Sequence, residues 1–140
     1  MKFLLDSNVC IAVLRRKAWA LEALASVSLE DVAVSAITVG ELYHGAYRSA
    51  FPHREVIKVE AFLRPLEILP LGHEEAIQWG RIEALLRTQG NAIEAEDAMI
   101  AAIAKTHALT VATGNTRHFE RVKGLKLVDW ELRPPKARRR

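Results

Sequence analysis

Apolar residues along the chain fall into short runs set between longer stretches of helical period. Residues 2–5, 32–34, 67–71, 109–113 and 125–128 are brief apolar runs bounded by Asp, Ser, Pro or Gly, the pattern of buried strands. Between them, the spacing predicts helices over 9–16 and 22–27, one after Ser35 that carries Glu41, Leu42 and Gly45, and others over 53–63, 73–90 and 94–106. Ser35 has the side-chain oxygen that a first helical turn needs for its free N–H groups. Pro52 and Pro65 bracket the helix at 53–63, and Gly90 suits the position just past a helix end. In the helix before Gly90, Ala76, Trp79, Ile82, Leu85 and Leu86 are expected to share a core-facing side.

Strands that alternate with helices form parallel βαβ units, because a parallel strand pair needs a crossover. The fold class expected is therefore α/β, a three-layer α/β/α sandwich around a parallel sheet of about five short strands. Residues 1–132 make one domain, and the terminal RPPKARRR reads as a basic, disordered tail over 133–140.

Composition narrows the function classes. A chain of 140 residues, half apolar and 26% charged, builds one ordinary core without disulfides. The single cysteine, Cys10, sits in VCIAVL and reads as a small core residue, which fits a reducing cytoplasm. The first apolar run is too short for a membrane span, Asp6 interrupts it, and its flanks lack the features of a signal peptide. A net charge of +3 tolerates an anionic partner without demanding one.

The chemistry concentrates in a few polar positions. In open parallel sheets, ligands bind outside the carboxyl ends of the strands. Asp6 stands at the tip of the first strand. Glu41 lies about two turns into the helix after the second, in surroundings that read as inward-facing. Asp97 precedes Ile100, Ala101 and Ala104 on the row expected to pack on the sheet, and Asn115 follows the fourth strand. Each acid has an ordinary use alone, as a turn residue or as a helix N-terminal charge. Three acids converging at one sheet edge instead repel one another unless a cation or protons neutralise them, and a hard divalent cation solves that problem. Oxygen donors without a thiolate or histidine cluster select Mg²⁺, with Mn²⁺ as a substitute. A water bound to such an ion is a nucleophile, and the ion offsets charge on a phosphodiester. Arg48, Arg117 and His118, with His44 and Arg121, are placed to meet phosphates. Trp79 and Trp130 read as packing residues, while Trp19 is open between packing and base stacking.

LLDSN, SAITVGELYHGA, IEAEDAMIAAIA and ATGNTRHFERVKGLKLVDW, in this order across nearly the whole chain, resemble PIN-domain ribonucleases and, more closely, the VapC-type toxins of type II toxin–antitoxin pairs. The resemblance implies a PIN-like nuclease domain and metal-dependent endonucleolytic cleavage of RNA. Asp6, Glu41 and Asp97 would then be the acidic metal site, with Ser7 and Asn8 supporting it. Asn115 occupies the usual seat of a fourth acid, with His118 three residues later, so that charge is absent. The implied partners are an RNA substrate, transfer RNA among the candidates, a second copy in a homodimer, and a VapB-type antitoxin whose tail occupies the acidic groove. Operator DNA would be reached only through the antitoxin, and no membrane is involved. The helices at 9–16 and 53–63 are candidate contact surfaces. The alternative reading is a non-catalytic antitoxin-binding module that acts mainly in transcriptional autoregulation.

Overall fold

The computed structural model describes residues 1–136, so positions 137–140 of the expected tail lie outside the described residues. The elements are β1 (Phe3–Leu5), α1 (Ser7–Leu14), α2 (Ala18–Ala25), β2 (Val32–Ser35), α3 (Ala36–Tyr47), α4 (Pro52–Leu63), β3 (Glu67–Leu69), α5 (His73–Thr88), α6 (Ala95–Thr106), β4 (Thr110–Ala112), α7 (Thr116–Phe119) and β5 (Lys126–Val128). The five strands form one sheet in the order β3-β2-β1-β4-β5, and every neighbouring pair is parallel. This is the α/β/α sandwich expected from the alternation of strands and helices.

Strand periodicity sorts the core into two layers. Successive strand residues point to opposite faces, so Leu4, Ala33 and Val111 join one cluster with Ile82, Leu86, Ile100 and Phe119 from α5, α6 and α7. Leu5, Val34 and Ala112 join the other with Val9, Leu42, Val59 and Trp130. Cys10 is fully buried in this second layer, and burial pushes its thiol well above the usual range. It is a core residue, as its setting in VCIAVL suggests. Trp130 is likewise buried, edge-on to Phe3 at 5.2 Å between ring centroids. Trp79 and Trp19 are half-buried, one against each core layer.

Several boundaries differ from the sequence expectation for local reasons. Helix α1 starts at Ser7, two residues early, because Asp6 is its N-cap and accepts from the Ser7 N–H. Helix α2 occupies Ala18–Ala25 rather than 22–27 and is capped by Ser26. Helix α7 has only four residues, too few to show a helical period. On α5 the buried row is Glu75, Ile82 and Leu86, whereas Leu85 is 49% exposed and Ala76 is also exposed. The inward face is thus rotated by one residue, and it carries an acid where an alanine was expected.

Gly90 has φ +65° after the end of α5, the left-handed geometry that lets a helix stop there. Among the described residues no helix is long and apolar enough to cross a membrane.

Candidate active site

The sheet order reverses beside β1: the chain moves from β1 out to β2 and β3, then returns to β4 on the other flank. Such a switch point opens a crevice at the strand carboxyl ends. Leu5 pairs with Ala112 in register, so the next residues, Asp6 and Thr113, lie side by side across that point. Asp6 is buried. Its Oδ1 accepts from the Ser7 N–H at 2.7 Å and its Oδ2 from the Thr113 hydroxyl at 2.6 Å. Burial still raises the Asp6 pKa above the ordinary carboxylate value; these two bonds oppose the rise and the charge of Asp97 adds to it.

A second set of bonds fixes Glu41. The Thr38 N–H donates to Ser35 Oγ at 3.0 Å, and the two hydroxyls lie 3.3 Å apart. Ser7 Oγ is 3.2 Å from Thr38 Oγ1 and 2.7 Å from Glu41 Oε1. A serine hydroxyl has one proton, and the shorter contact to a carboxylate claims it. Ser7 therefore donates to Glu41 and accepts from Thr38, while Ser35 donates to Thr38. This one-way chain begins at the buried carboxyl end of β2 and ends on a carboxylate in solvent. Glu41 itself is exposed, contrary to the inward placement expected, because α3 buries Thr38, Leu42 and Ala46 and Glu41 lies beside that row.

Asp97 stands in the first turn of α6, with its side chain 16% exposed. The row after it packs as expected, Ile100, Ala101 and Ala104 being buried. Its Oδ2 lies 3.4 Å from Asn115 Nδ2 and 3.3 Å from His118 Nδ1. Desolvation raises the Asp97 pKa, His118 opposes this, and Glu41 and Glu94 add to it. Each acid thus feels the next: Asp97 acts on Asp6, and Glu41 acts on Asp97.

Asn115, after β4, donates its backbone N–H to Thr113 Oγ1 at 2.9 Å. It joins the Asp6 and Asp97 halves of the site through one residue. Asn8 is exposed on α1. Arg48, Arg117 and His44 are exposed on α3 and α7, and His118 is half-buried. Arg121 donates from its guanidinium to the Ala92 carbonyl at 2.9 Å, which ties it to the loop before α6. The sequence reading missed Thr113 and Thr38. Both are fully buried polar residues, and the available signal for Thr113 was a hydroxyl residue at a strand end opposite the Asp6 position.

Neighbouring carboxylate charges that raise the proton affinity of Asp6 and Asp97 fit a hard cation held by oxygen. Among the described residues, no three Asp, Glu, His or Cys side chains already stand close enough to enclose an ion. Ion binding therefore requires side-chain rotation, for which exposed Glu41 has room.

The PIN domain model matches residues 3–125. The chain belongs to the PIN-domain family. Within that family it is 36% identical over 130 residues to the tRNA(fMet)-specific endonuclease VapC of Salmonella typhimurium, covering 93% of this chain and 98% of that one. It is 37% identical to Ribonuclease VapC2 of Haemophilus influenzae over the same shares. The crystal structure of DNA-bound VapBC from Salmonella typhimurium superimposes with a TM-score of 0.88 at 36% identity, over 93% of this chain and 98% of that one. The expected PIN-like fold and the resemblance to VapC nucleases are both borne out. This PIN-domain chain is a nuclease of the VapC group.

Proposed function

We propose that the chain is the toxin of a type II toxin–antitoxin pair and acts as a divalent-cation-dependent endoribonuclease. The observation that carries this reading is the convergence of Asp6 from the end of β1, Glu41 from α3 and Asp97 from α6 at one sheet edge, with successive acids coupled electrostatically.

Asp6, Glu41 and Asp97 would hold Mg²⁺, or Mn²⁺ in its place. When bound, such an ion neutralises phosphate charge and lowers the pKa of its water. The rest belongs to the chain's own groups. Asp6 is held by two hydrogen bonds on a rigid strand end, which fixes the crevice floor. Ser7 tethers the Glu41 carboxylate at the rim through its hydroxyl. Asn115 orients Asp97 through its amide, and exposed Arg48 and Arg117 supply charge to RNA phosphates. Asn8, exposed beside Ser7 in the first turn of α1, would assist the site from there.

Transfer RNA is the proposed substrate class, with initiator transfer RNA the first species to test, as the name of the Salmonella relative states for that protein. A VapB-type antitoxin is the proposed partner, and operator DNA is reached through it; the superimposed Salmonella structure is of a DNA-bound VapBC. A groove of about 270 Å³ between α1, α3 and α4, lined by Ile11, Leu14, Leu42 and Val59 with Glu41 and Arg15, offers the antitoxin an apolar seat that leads to the acids. Exposed Tyr47, Phe51 and Ile57, around the α3–α4 corner, offer a surface for a second copy. The reading places the chain in the cytoplasm, with its substrate.

Induced expression tests this reading. Wild type should arrest growth, Asp97→Asn should not, and the cognate antitoxin should relieve the arrest. Arrest by Asp97→Asn equal to wild type would remove the nuclease reading and favour a binding module.

A further inference from the structure

Away from the acids, α5, α6 and the turn between α7 and β5 border a groove of about 270 Å³. Ile82 and Leu86 line it as buried residues, and Leu85 is left 49% exposed beside them. Four cations share this apolar ground: Arg81 from α5, Lys105 from α6, and Arg121 and Lys123 from the turn, with no acid among the described lining residues. On a solvated helix face, a cation gains from an acid three or four residues away. This chain uses such pairs elsewhere, Arg87 with Glu83 on α5 and Lys58 with Glu55 on α4. Neither Arg81 nor Lys105 has an acid at those spacings, so their charge is unbalanced.

Two of the cations are held in place by neutral acceptors. Lys105 Nζ donates to the Lys123 carbonyl at 3.0 Å, and the Arg121 guanidinium donates to the Ala92 carbonyl at 2.9 Å. Each bond restrains a long side chain without cancelling its charge, which lowers the ordering cost of gripping an anion. Arg121 also joins the groove to the acids. Its backbone N–H donates to the His118 carbonyl at 3.2 Å, and with His118 and Glu94 it lines a hollow at the start of α6, where Asp97 stands in the first turn. Lys105 follows Asp97 on the same helix by a rise of about 12 Å, a few nucleotides of strand. A strand leaving the acids past His118 therefore meets Arg121 first and the other three cations beyond it.

We infer that this groove is a second RNA subsite, in which Arg81, Lys105, Arg121 and Lys123 take the phosphates of an unpaired stretch flanking the cut bond while a base lies on Ile82 and Leu85. Unpaired RNA offers both of the surfaces the groove asks for, anionic phosphates and the apolar faces of bases. An acidic peptide would meet the charges too, but only a strand already held at the acids is delivered to Arg121. The inference rests on the reading of the chain as a ribonuclease and extends it, since the groove supplies affinity and register and takes no part in the chemistry.

The test is cleavage of bulk transfer RNA by the full-length protein with Mg²⁺, read as KM and kcat over a range of salt concentrations, for wild type and Arg81→Gln/Lys123→Gln. Both residues are exposed, so the variant should fold. Its KM should rise about tenfold or more with kcat changed by less than about twofold, and the slope of log KM against log salt should flatten by about two. Arg81→Lys/Lys123→Arg, which keeps both charges, should restore KM. Lys2→Gln/Arg87→Gln removes the same charge from residues paired with Asp31 and Glu83, and should leave KM within about twofold of wild type. An equal rise in both Gln double variants, or a rise in neither, overturns the inference and leaves the nuclease standing. Polyglutamate bound through Arg81 and Lys123, with KM for transfer RNA unchanged by their loss, overturns it in favour of an acidic protein partner. A wild type that neither binds nor cuts transfer RNA overturns the substrate reading and this inference together.

Discussion

Thr113 Oγ1 donates to Asp6 Oδ2 at 2.6 Å, joining residues 107 apart in the sequence across the β1–β4 boundary. The hydroxyl is fully buried and has a second task, since it accepts from the Asn115 N–H. One threonine therefore holds the floor acid ionisable and sets the start of the loop that carries Asn115 and His118.

Replacing Thr113 by Val keeps the shape and removes both bonds. The bond to Asp6 opposes the rise of its pKa, so without it Asp6 keeps its proton to higher pH. The acid limb of the RNA-cleavage profile should move to higher pH, with cleavage slowed roughly tenfold at pH 6 and less at pH 8. A pH–rate profile of both proteins checks this, and a uniform loss at every pH would show that loop position, not ionisation, is affected.

Ser7→Ala ends the hydroxyl chain one step short of Glu41. Glu41 is exposed, so the fold should tolerate the change, with Tm altered by no more than about 2–3 °C. Divalent-ion affinity should fall about threefold to tenfold as the carboxylate loses its tether. Calorimetric titration with Mn²⁺, beside a thermal melt, separates the two effects.

Asp97→Asn should lose cleavage and gain stability. The folded pKa of Asp97 lies above the ordinary 3.8, so ionisation opposes folding. That penalty is absent below the ordinary value and fully present above the raised one. The variant's Tm should exceed that of wild type at pH 7 and match it near pH 3.5. Thermal melts of the metal-free proteins across this range test the sign.

Glu75 Oε1 and His107 Nε2 are in hydrogen-bond contact at 3.1 Å, away from the acids, where the start of α5 meets the end of α6. Glu75's own helix N-terminal N–H and His107 hold its pKa below the usual carboxylate value, against the opposing effect of burial. Its stabilising effect is therefore present above the ordinary pKa and lost as pH falls through the lowered one. Glu75→Gln should lower Tm at pH 7, with the gap closing in acid below about pH 4. Cleavage per folded molecule should be unchanged, as measured by single-turnover assay below the Tm of both proteins.

The fold was largely legible because each strand is a short apolar run and the intervening helices are long enough to show their period. What stayed hidden is local. The four residues of α7 cannot express periodicity, and on α5 the choice between Ala76 and Glu75 as the inward residue depends on a partner, His107, 32 positions away. At the site, Asp6, Asp97 and Asn115 declare themselves by their place at strand and helix ends. Thr113 does not, because a threonine after a strand is ordinary until the β1–β4 register puts it beside Asp6. Glu41 misled through its apolar neighbours: Leu42 is buried while Glu41, one residue back, is not.

The reading of Asp6, Glu41 and Asp97 as one metal-dependent cleavage site meets its sharpest test in total RNA incubated with the purified, antitoxin-free protein, with Mg²⁺ or Mn²⁺ and with chelator, the new 5′ ends being sequenced. Discrete cuts in transfer RNA that vanish with chelator and with Asp6→Asn are the expected result. Cuts that persist in chelator, or none with any divalent ion, would contradict it.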